Sequence, residues 1–327
     1  MPQASSALAS HLNDALRSAP RDASLAIIFP GQGSHQVGAG RDLYDAYPLA
    51  REVFRRADET LAIPLTKLCF EGPEDHLRDT ANAQPAILTV SLACLAAALE
   101  SGALRRQPAF VAGHSLGEFS ALVAAGALDL EDALSLVATR GRLMRDASQR
   151  RPGTMAALIG LSDAALDEVC RDSGVEPCNY NSQSQVVIGG PVAAVEKASR
   201  LAEERGARAL PLNVSGAFHT SLMEPAAQGF AAAVDVCPIR DPSIPIVANA
   251  TAEPLTTAAA VRRELRQQII RPVLWRQSVL KMTSAGVTTF VEAGPGRVLS
   301  GLVKRAGRGL TTLSLDSADS LDTLRHA

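Results

Sequence analysis

The stretch FVAGHSLGEFSALVAAGAL, residues 110–128, places a polar Gly-His-Ser-Leu-Gly between a short apolar run and a long alanine-rich run. The residues before Gly113 are typical of a buried strand, and those after Gly117 carry apolar side chains at helical spacing. A strand that turns abruptly into a helix at a serine, with glycine two residues before and two after, has the pattern of a nucleophile elbow. The pattern predicts that Ser115 is exposed at the carboxyl edge of a sheet and takes part in acyl transfer.

The composition is that of an ordinary globular protein. The chain has 327 residues, of which 46% are hydrophobic and 20% are charged, and its formal net charge is −2. That charge favours neither nucleic acid nor an anionic membrane as a partner. The five cysteines are scattered without a C-x-x-C pair, so we expect reduced, mostly buried thiols in a cytoplasmic protein, without zinc or disulfides. No run approaches the roughly 18 apolar residues of a membrane span.

Strand and helix patterns alternate along most of the chain, which indicates an α/β fold with a mainly parallel sheet. The residues of 152–213 instead follow a β-α-β-β-α-β order, which is typical of a compact inserted subdomain. We therefore assign 25–151 and 214–327 to a large domain and 152–213 to a smaller one. The elements predicted for the large domain are a strand that ends in a glycine-rich loop at 25–34, helices at 84–104 and 129–147 with Asp129 as N-cap, a strand at 244–250, and a strand and helix at 288–305.

The first 24 residues precede the first predicted strand and lack the apolar core of a signal peptide. Leu8, Leu12 and Leu16 have the spacing of one face of a short helix, and disorder is the alternative. We assign residues 1–24 to an N-terminal extension.

The glycine-rich loop at residues 31–34, Gly-Gln-Gly-Ser, fits a phosphate-binding motif poorly. It is neither G-x-G-x-x-G nor followed by G-K-[ST], and no acidic residue is placed to close a ribose site. A loop at the end of a strand can instead present a side-chain amide, and Gln32 is the candidate.

A serine nucleophile needs a general base, which is normally a histidine. His219 lies where a predicted strand enters a loop just before a helix, a usual place for a catalytic side chain. His114 directly precedes Ser115, so its side chain should point to the opposite face of the extended chain. His35, which follows the glycine-rich loop, stays an alternative. No acidic residue stands out before His219, so the group that orients its imidazole is expected to be a backbone carbonyl.

Arg140 lies on the apolar face of the predicted helix 129–147, because the residues three and four positions before and after it are apolar. A buried guanidinium remains charged and needs an anion. The anion is either a fixed Asp or Glu in a structural ion pair or the carboxylate of a substrate, bound bidentately near Ser115. The sequence leaves both interpretations open.

The Gly-Gln-Gly-Ser loop, the GHSLG elbow, Arg140 and the GAFH segment that ends in His219 occur in the order typical of one enzyme family. Residues 25–315 resemble the malonyl-CoA:acyl-carrier-protein transacylases, the stand-alone acyltransferases of fatty-acid and polyketide synthesis. The resemblance implies a hydrolase-like large domain with an inserted ferredoxin-like subdomain. It also implies a cytoplasmic monomer that needs no cofactor or metal and has malonyl-CoA and the phosphopantetheine arm of an acyl carrier protein as its partners.

The resemblance also implies roles for individual residues. Ser115 would be the nucleophile, His219 its base, and Arg140 the ligand of the substrate carboxylate. The remaining positions implied are the side-chain or backbone N–H of Gln32 and the backbone amide of Leu116 for the oxyanion hole, Asn181 and Phe218 for the substrate pocket, and the carbonyl of Gln268 for orienting His219.

The predicted reaction is transfer of a malonyl group through a malonyl-serine intermediate. One alternative is a trans-acting polyketide acyltransferase for another extender unit, because the N-terminal extension is longer than is usual in the fatty-acid enzymes. A second alternative is hydrolysis of acyl thioesters, which uses the same nucleophile. A non-catalytic subunit that binds the carrier protein would not need Ser115, His219, Gln32 and Arg140 together.

Overall fold

The computed structural model of the chain describes residues 7–325 and contains two separate β-sheets. The strands are β1 Arg21–Phe29, β2 Gln107–Gly113, β3 Thr154–Ile159, β4 Glu176–Tyr180, β5 Gln185–Gly190, β6 Arg208–Pro211, β7 Ile246–Val247, β8 Pro254–Leu255, β9 Thr289–Ala293 and β10 Thr311–Leu315.

The α-helices pack around these sheets, and two short 3₁₀ helices lie at Ser221–Met223 and Gln268–Ile270. The α-helices are α1 Ala7–Ser18, α2 Arg41–Ala46, α3 Pro48–Leu61, α4 Leu65–Glu71, α5 Glu74–Arg78, α6 Thr80–Glu100, α7 Gly117–Ala124, α8 Leu130–Arg150, α9 Asp163–Ser173, α10 Val192–Glu204, α11 Glu224–Val236, α12 Ala258–Gln267, α13 Trp275–Ser284, α14 Val298–Ala306 and α15 Ala318–Arg325.

The larger sheet has the strand order β10-β9-β1-β2-β7-β8, and every neighbouring pair is parallel except β7 with β8. The central strands β1 and β2 are apolar and largely buried, as expected where helices cover both faces of a parallel sheet. The smaller sheet has the order β4-β5-β3-β6, is antiparallel throughout, and carries α9 and α10 in β-α-β-β-α-β connectivity. This architecture confirms the predicted fold class.

The two sheets are joined by main-chain hydrogen bonds between β4 and the segment that follows the 3₁₀ helix Gln268–Ile270. The Val273 N–H donates to the Cys178 carbonyl (2.8 Å), and the Tyr180 N–H donates to the Val273 carbonyl (2.9 Å). The segment that carries Gln268 is therefore anchored to both parts of the protein.

Most of the predicted N-terminal extension lies within the described residues and forms α1 and the start of β1. In α1 the side chains of Leu8, Leu12 and Leu16 are buried in the main core, so the helical alternative is correct for this stretch and disorder is wrong. Strand β1 begins at Arg21 and so includes the last four residues that the sequence analysis assigned to the extension.

Three sequence-based predictions about local structure need correction. The strand expected over 244–250 is reduced to β7, because the chain turns away after Val247 to bring Asn249 against the elbow. Asp129 is the N-cap residue of α8 as predicted, but its side chain makes no capping hydrogen bond, because its carboxylate pairs with Arg240. Helix α6 is long and apolar enough to cross a membrane by length and composition, contrary to expectation, but 89% of its most apolar window is buried inside the protein.

Candidate active site

The elbow holds Ser115 in a strained backbone conformation at the carboxyl end of β2. Its φ is 51°, in the left-handed region that residues with a side chain rarely adopt. A Cβ on Gly113 would lie 1.9 Å from the Gly117 carbonyl carbon, and one on Gly117 would lie 2.1 Å from the Phe29 carbonyl oxygen. Only glycine fits at either position, so the two glycines allow β1, β2 and α7 to approach closely enough to form the turn.

Ser115 and His219 form a hydrogen-bonded pair although they lie 104 positions apart in the chain. The Ser115 Oγ is 2.7 Å from His219 Nε2, and His219 Nδ1 is 2.9 Å from the Gln268 carbonyl oxygen and 3.0 Å from that of Arg271. Since a carbonyl oxygen only accepts, Nδ1 carries the proton and Nε2 is left as an acceptor for the serine hydroxyl. The imidazole is therefore oriented by backbone carbonyls rather than by a carboxylate.

The surroundings of His219 keep its imidazole neutral. The side chain is buried, and this burial, together with the positive charge of Arg140, lowers the pKa of His219 to about 3. A neutral imidazole at neutral pH can accept the proton of Ser115, as a general base must. His219 itself has a φ of 61°, so both members of the pair have left-handed backbones.

The other two histidines considered as bases do not contact the Ser115 hydroxyl. His114 Nε2 lies 2.9 Å from Asn181 Oδ1, and its ring packs on Trp275 with 5.7 Å between the ring centroids. His35 is only partly buried, and its Nδ1 has no hydrogen-bond partner within residues 7–325. The geometry therefore favours His219 as the base and places Asn181 against His114 rather than against Ser115.

Arg140 is fully buried beside the nucleophile, yet its partners are neutral. Its Nη1 donates to Gln84 Oε1 (2.7 Å), and its Nη2 donates to Ser115 Oγ and Gln268 Oε1 (both 3.0 Å). Within the described part of the chain no carboxylate lies within ion-pair distance of the guanidinium, and its buried Nε has no hydrogen-bond partner. The structural ion pair that the sequence left open is therefore not formed.

The guanidinium remains protonated in this environment. Burial lowers the pKa of Arg140 to about 10, although the charge of Glu118 opposes that change. Because an arginine only donates hydrogen bonds, the Ser115 Oγ accepts from Arg140 and directs its own proton to His219. The cation thus also lies where it would stabilise negative charge on the serine oxygen.

The glycine-rich loop packs directly against the elbow. A Cβ on Gly31 would lie 2.3 Å from the His114 carbonyl oxygen, so the loop can approach only because a glycine stands there. The Gln32 side chain donates to Thr80 Oγ1 (2.8 Å), so its amide N–H is engaged within the protein. Between Ala7 and Arg325 no acceptor takes the backbone N–H of Gln32 or of Leu116. Of the two donors that the sequence left open at Gln32, the backbone amide is the one without an acceptor.

Phe218 precedes His219, is 6% exposed, and packs in the main core. It therefore gives the base an apolar neighbour, and its place at a substrate pocket stays a prediction.

Sequence reasoning missed Asn249 and Glu118, which hold the elbow from behind. Asn249 accepts the Ser115 N–H at Oδ1 (2.6 Å) and donates from Nδ2 to the Gly113 carbonyl (2.7 Å). Glu118 is fully buried on α7, and its burial and the nearby charge of Glu264 raise its pKa well above its usual value. The available signals were a single amide in the apolar run IPIVANA and a single carboxylate on an otherwise apolar helix.

Within the described residues no group of three or more His, Cys, Asp or Glu side chains could hold a metal ion. The five cysteines are unpaired, and four of them are buried.

Comparison with known proteins identifies the family of this fold and serine site. The acyl transferase domain family matches residues 26–324. The chain belongs to the acyl transferase family. It is 45% identical over 304 residues to the malonyl CoA-acyl carrier protein transacylase of Bacillus subtilis, a match that covers 91% of this chain and 95% of that protein. The chain is therefore an acyltransferase.

Solved structures of acyltransferases have the same fold. An acyl carrier protein S-malonyltransferase from Vibrio cholerae is 41% identical, with a TM-score of 0.88 over 92% of this chain and 99% of that one. A malonyl-transacylase solved in complex with a type II polyketide synthase acyl-carrier protein is 39% identical, with a TM-score of 0.89 over 93% and 99%. The similarity therefore extends over both sheets of the acyltransferase.

Proposed function

We propose that this acyltransferase moves a malonyl group from malonyl-CoA to the phosphopantetheine thiol of an acyl carrier protein. The observation that carries the proposal is the guanidinium of Arg140, which is buried without a carboxylate partner and lies 3.0 Å from the Ser115 hydroxyl. A buried cation with an unpaired Nε is suited to a substrate that brings its own carboxylate. The names of the relatives, which are malonyl transacylases, support the same substrate.

In the first half of the reaction, Ser115 attacks the thioester carbonyl of malonyl-CoA while His219 Nε2 accepts its proton. The negative charge that develops on the carbonyl oxygen is met by the backbone N–H groups of Gln32 and Leu116, which have no acceptor of their own. Collapse of the tetrahedral intermediate breaks the carbon–sulfur bond, and the imidazolium returns its proton to the departing CoA thiolate. The product is a malonyl ester on Ser115.

The second half of the reaction repeats these steps with a different nucleophile. His219 takes the proton of the phosphopantetheine thiol as the sulfur attacks the malonyl ester. Collapse of this second intermediate breaks the ester bond, and Ser115 regains its proton from His219. The Gln268 and Arg271 carbonyls hold the imidazole in one tautomer throughout, so that one nitrogen serves as acceptor and donor in turn.

In this proposal, Arg140 binds the malonyl carboxylate through the unpaired Nε and the neighbouring Nη2, on the side of the guanidinium next to Ser115. Phe218 provides an apolar wall of the substrate pocket beside His219. Asn181 contributes through His114, whose ring it holds.

We further propose that the enzyme works as a cytoplasmic monomer without cofactor or metal and binds neither nucleic acid nor membrane. The near-neutral net charge and the unpaired, mostly buried cysteines support this part of the proposal.

The proposal is tested by measuring CoA release from malonyl-, methylmalonyl- and acetyl-CoA, each with and without an acyl carrier protein that bears phosphopantetheine. We expect release from malonyl-CoA to be at least about 10-fold faster than from acetyl-CoA, and to be sustained only when the carrier protein is present, because the buried ester is transferred to a thiol rather than to water. Equal turnover without the carrier protein would identify a thioester hydrolase. Preference for methylmalonyl-CoA would identify a polyketide acyltransferase for another extender unit.

A further inference from the structure

One buried carboxylate lies behind the reacting groups without touching them. Glu118, on the first turn of α7, is fully buried, and each of its oxygens accepts one hydrogen bond. The Oε1 atom accepts the Asn249 N–H (3.0 Å), and Oε2 accepts a proton of the Gln268 side-chain amide (2.5 Å). Both oxygens face N–H groups, so the side chain is a double acceptor, and these two hydrogen bonds oppose the rise in its pKa that burial and Glu264 cause.

These two amide residues hold the backbone of the nucleophile from both sides. Asn249 Oδ1 accepts the Ser115 N–H (2.6 Å), and Gln268 Nε2 donates to the Ser115 carbonyl (2.9 Å). The backbone of Ser115, which is strained at a φ of 51°, is thus fixed by two side chains that Glu118 itself orders.

The Gln268 amide also links Glu118 to Arg140. Its Nε2 faces two acceptors, Glu118 and the Ser115 carbonyl, so its Oε1 must face the Arg140 guanidinium, to which it is hydrogen bonded at 3.0 Å. Reversing the amide would put oxygen against oxygen on one side and N–H against N–H on the other. The orientation of the amide, and with it one of the contacts that position the guanidinium, therefore depends on the acceptors behind it.

We propose that Glu118 is a positioning residue for substrate selection, which holds the Gln268 amide so that Arg140 is aimed at the acyl pocket. The proposal rests on the proposed role of Arg140 in binding a substrate carboxylate. It assigns the choice between malonyl and acetyl groups to a relay that runs from Glu118 through Gln268 to Arg140.

The substitution Glu118→Gln keeps the shape of the side chain but leaves only one acceptor oxygen for two donors. Either the Asn249 N–H or the Gln268 amide then loses its partner inside the protein. We expect kcat/KM for malonyl-CoA to fall about 10-fold more than kcat/KM for acetyl-CoA, because the loss acts on the group that recognises the carboxylate.

Glu292→Gln is the matched control. Glu292 is also fully buried and accepts two backbone N–H groups, those of Leu299 (3.0 Å) and Ser300 (2.7 Å), but it is not hydrogen bonded to Ser115, Gln268 or Arg140. We expect Glu292→Gln to lower thermal stability as Glu118→Gln does while leaving the malonyl-to-acetyl ratio unchanged. Equal losses for both substrates in Glu118→Gln would overturn the proposal and leave Glu118 a purely structural residue.

A double-mutant cycle with Gln268→Leu tests whether the effect passes through the amide. This substitution removes the side-chain amide but keeps the backbone carbonyl that faces His219. We expect Glu118→Gln to change the substrate ratio little further once Gln268 is leucine, whereas fully additive effects would contradict the relay. If Glu118→Gln does not fold, Glu118→Asp is measured instead, and the same preferential loss of the malonyl substrate is required.

Arg140→Ala, measured alongside, separates the two proposals. If Arg140→Ala leaves the malonyl-to-acetyl ratio unchanged, the proposed function itself fails. If Arg140→Ala changes that ratio and Glu118→Gln does not, only the relay fails.

Discussion

Two arginines of the large domain, Arg240 and Arg140, have opposite environments. Arg240 lies in the loop between α11 and β7, is half-exposed, and makes two parallel hydrogen bonds, at 2.8 and 3.0 Å, to the carboxylate of Asp129, the residue before α8. Arg140 lies inside the protein and has only neutral oxygens as partners. Hydrogen bonding to Asp129 raises the pKa of Arg240, whereas burial lowers the pKa of Arg140 to about 10. The first charge has a counter-ion within the fold, and the second has none in the described part of the chain.

The same difference extends to the surroundings of the two arginines. Around Arg140 the chain keeps a serine and a histidine in left-handed backbone conformations, each of which costs about 1–3 kcal/mol. Around Arg240 the Gly126 carbonyl accepts a further hydrogen bond from the guanidinium, so the contact closes a surface turn. Unsatisfied charge and backbone strain therefore coincide at the proposed catalytic site, while the region near Asp129 is relaxed.

The largest expected effect is that of Ser115→Ala, which should abolish the covalent acyl-enzyme because no other hydroxyl lies against His219 Nε2 in the described chain. Intact-mass measurement after mixing with malonyl-CoA detects the adduct. Arg240→Ala, which changes only the relaxed region, should acylate fully. A complete adduct on the alanine variant at position 115 would refute the assignment of the nucleophile.

His219→Ala should reduce the rate of acylation by about 10²- to 10⁴-fold, because removing a general base typically costs that much. The comparison variant is His35→Ala, which changes a histidine that has no bond to Ser115 and should remain nearly fully active. The measurement is the rate of CoA release in a single turnover. A folded His35 variant that is the slower of the two would reverse the choice of base.

Arg140→Ala should lose malonyl transfer by about 10- to 100-fold while retaining turnover of acetyl-CoA, since charge-assisted hydrogen bonds each contribute about 1.5–3 kcal/mol. Arg140→Lys should recover only part of the malonyl activity, because an ammonium group cannot make the two-pronged contact. Arg240→Ala is the matched control and should leave the ratio of kcat/KM for the two thioesters unchanged. Equal losses for both thioesters in Arg140→Ala would show that Arg140, like Arg240, does not select between malonyl and acetyl groups.

The smallest expected effect is on the pH dependence of the wild-type enzyme. Because the pKa of His219 is lowered to about 3, the imidazole stays neutral and able to accept a proton as the pH falls from 8 to 5. Acylation by acetyl-CoA should therefore change less than about 2-fold over this range, whereas a histidine with the ordinary pKa would lose about 30-fold. Arg140→Ala removes a nearby positive charge, so it should raise the pKa of His219 and shift the acidic loss of activity to higher pH. A wild-type loss centred near pH 6.5 would contradict the neutral, buried imidazole.

Much of the fold was predictable because it depends on neighbours in the chain. The glycines on either side of Ser115, the apolar strand before it and the helix after it are local features, and they correctly predicted the elbow. The β-α-β-β-α-β order likewise predicted the smaller sheet. The predictions that failed were made from local sequence patterns at positions where the side chain instead contacts a distant part of the chain. The Asp129 carboxylate, for example, pairs with Arg240 instead of accepting an N–H of α8.

The sequence by itself determined the elbow, the α/β architecture and the presence of an arginine on the apolar face of α8. It could not determine what faces that arginine, because helical spacing specifies the side on which a residue lies and not the element packed against it. Only the tertiary structure decided that Arg140 meets Gln84 and Gln268 rather than a carboxylate. It also decided that Glu118, Asn249 and Gln268 meet behind Ser115, since these contacts join segments more than a hundred residues apart and arise only when the sheet and its helices are assembled.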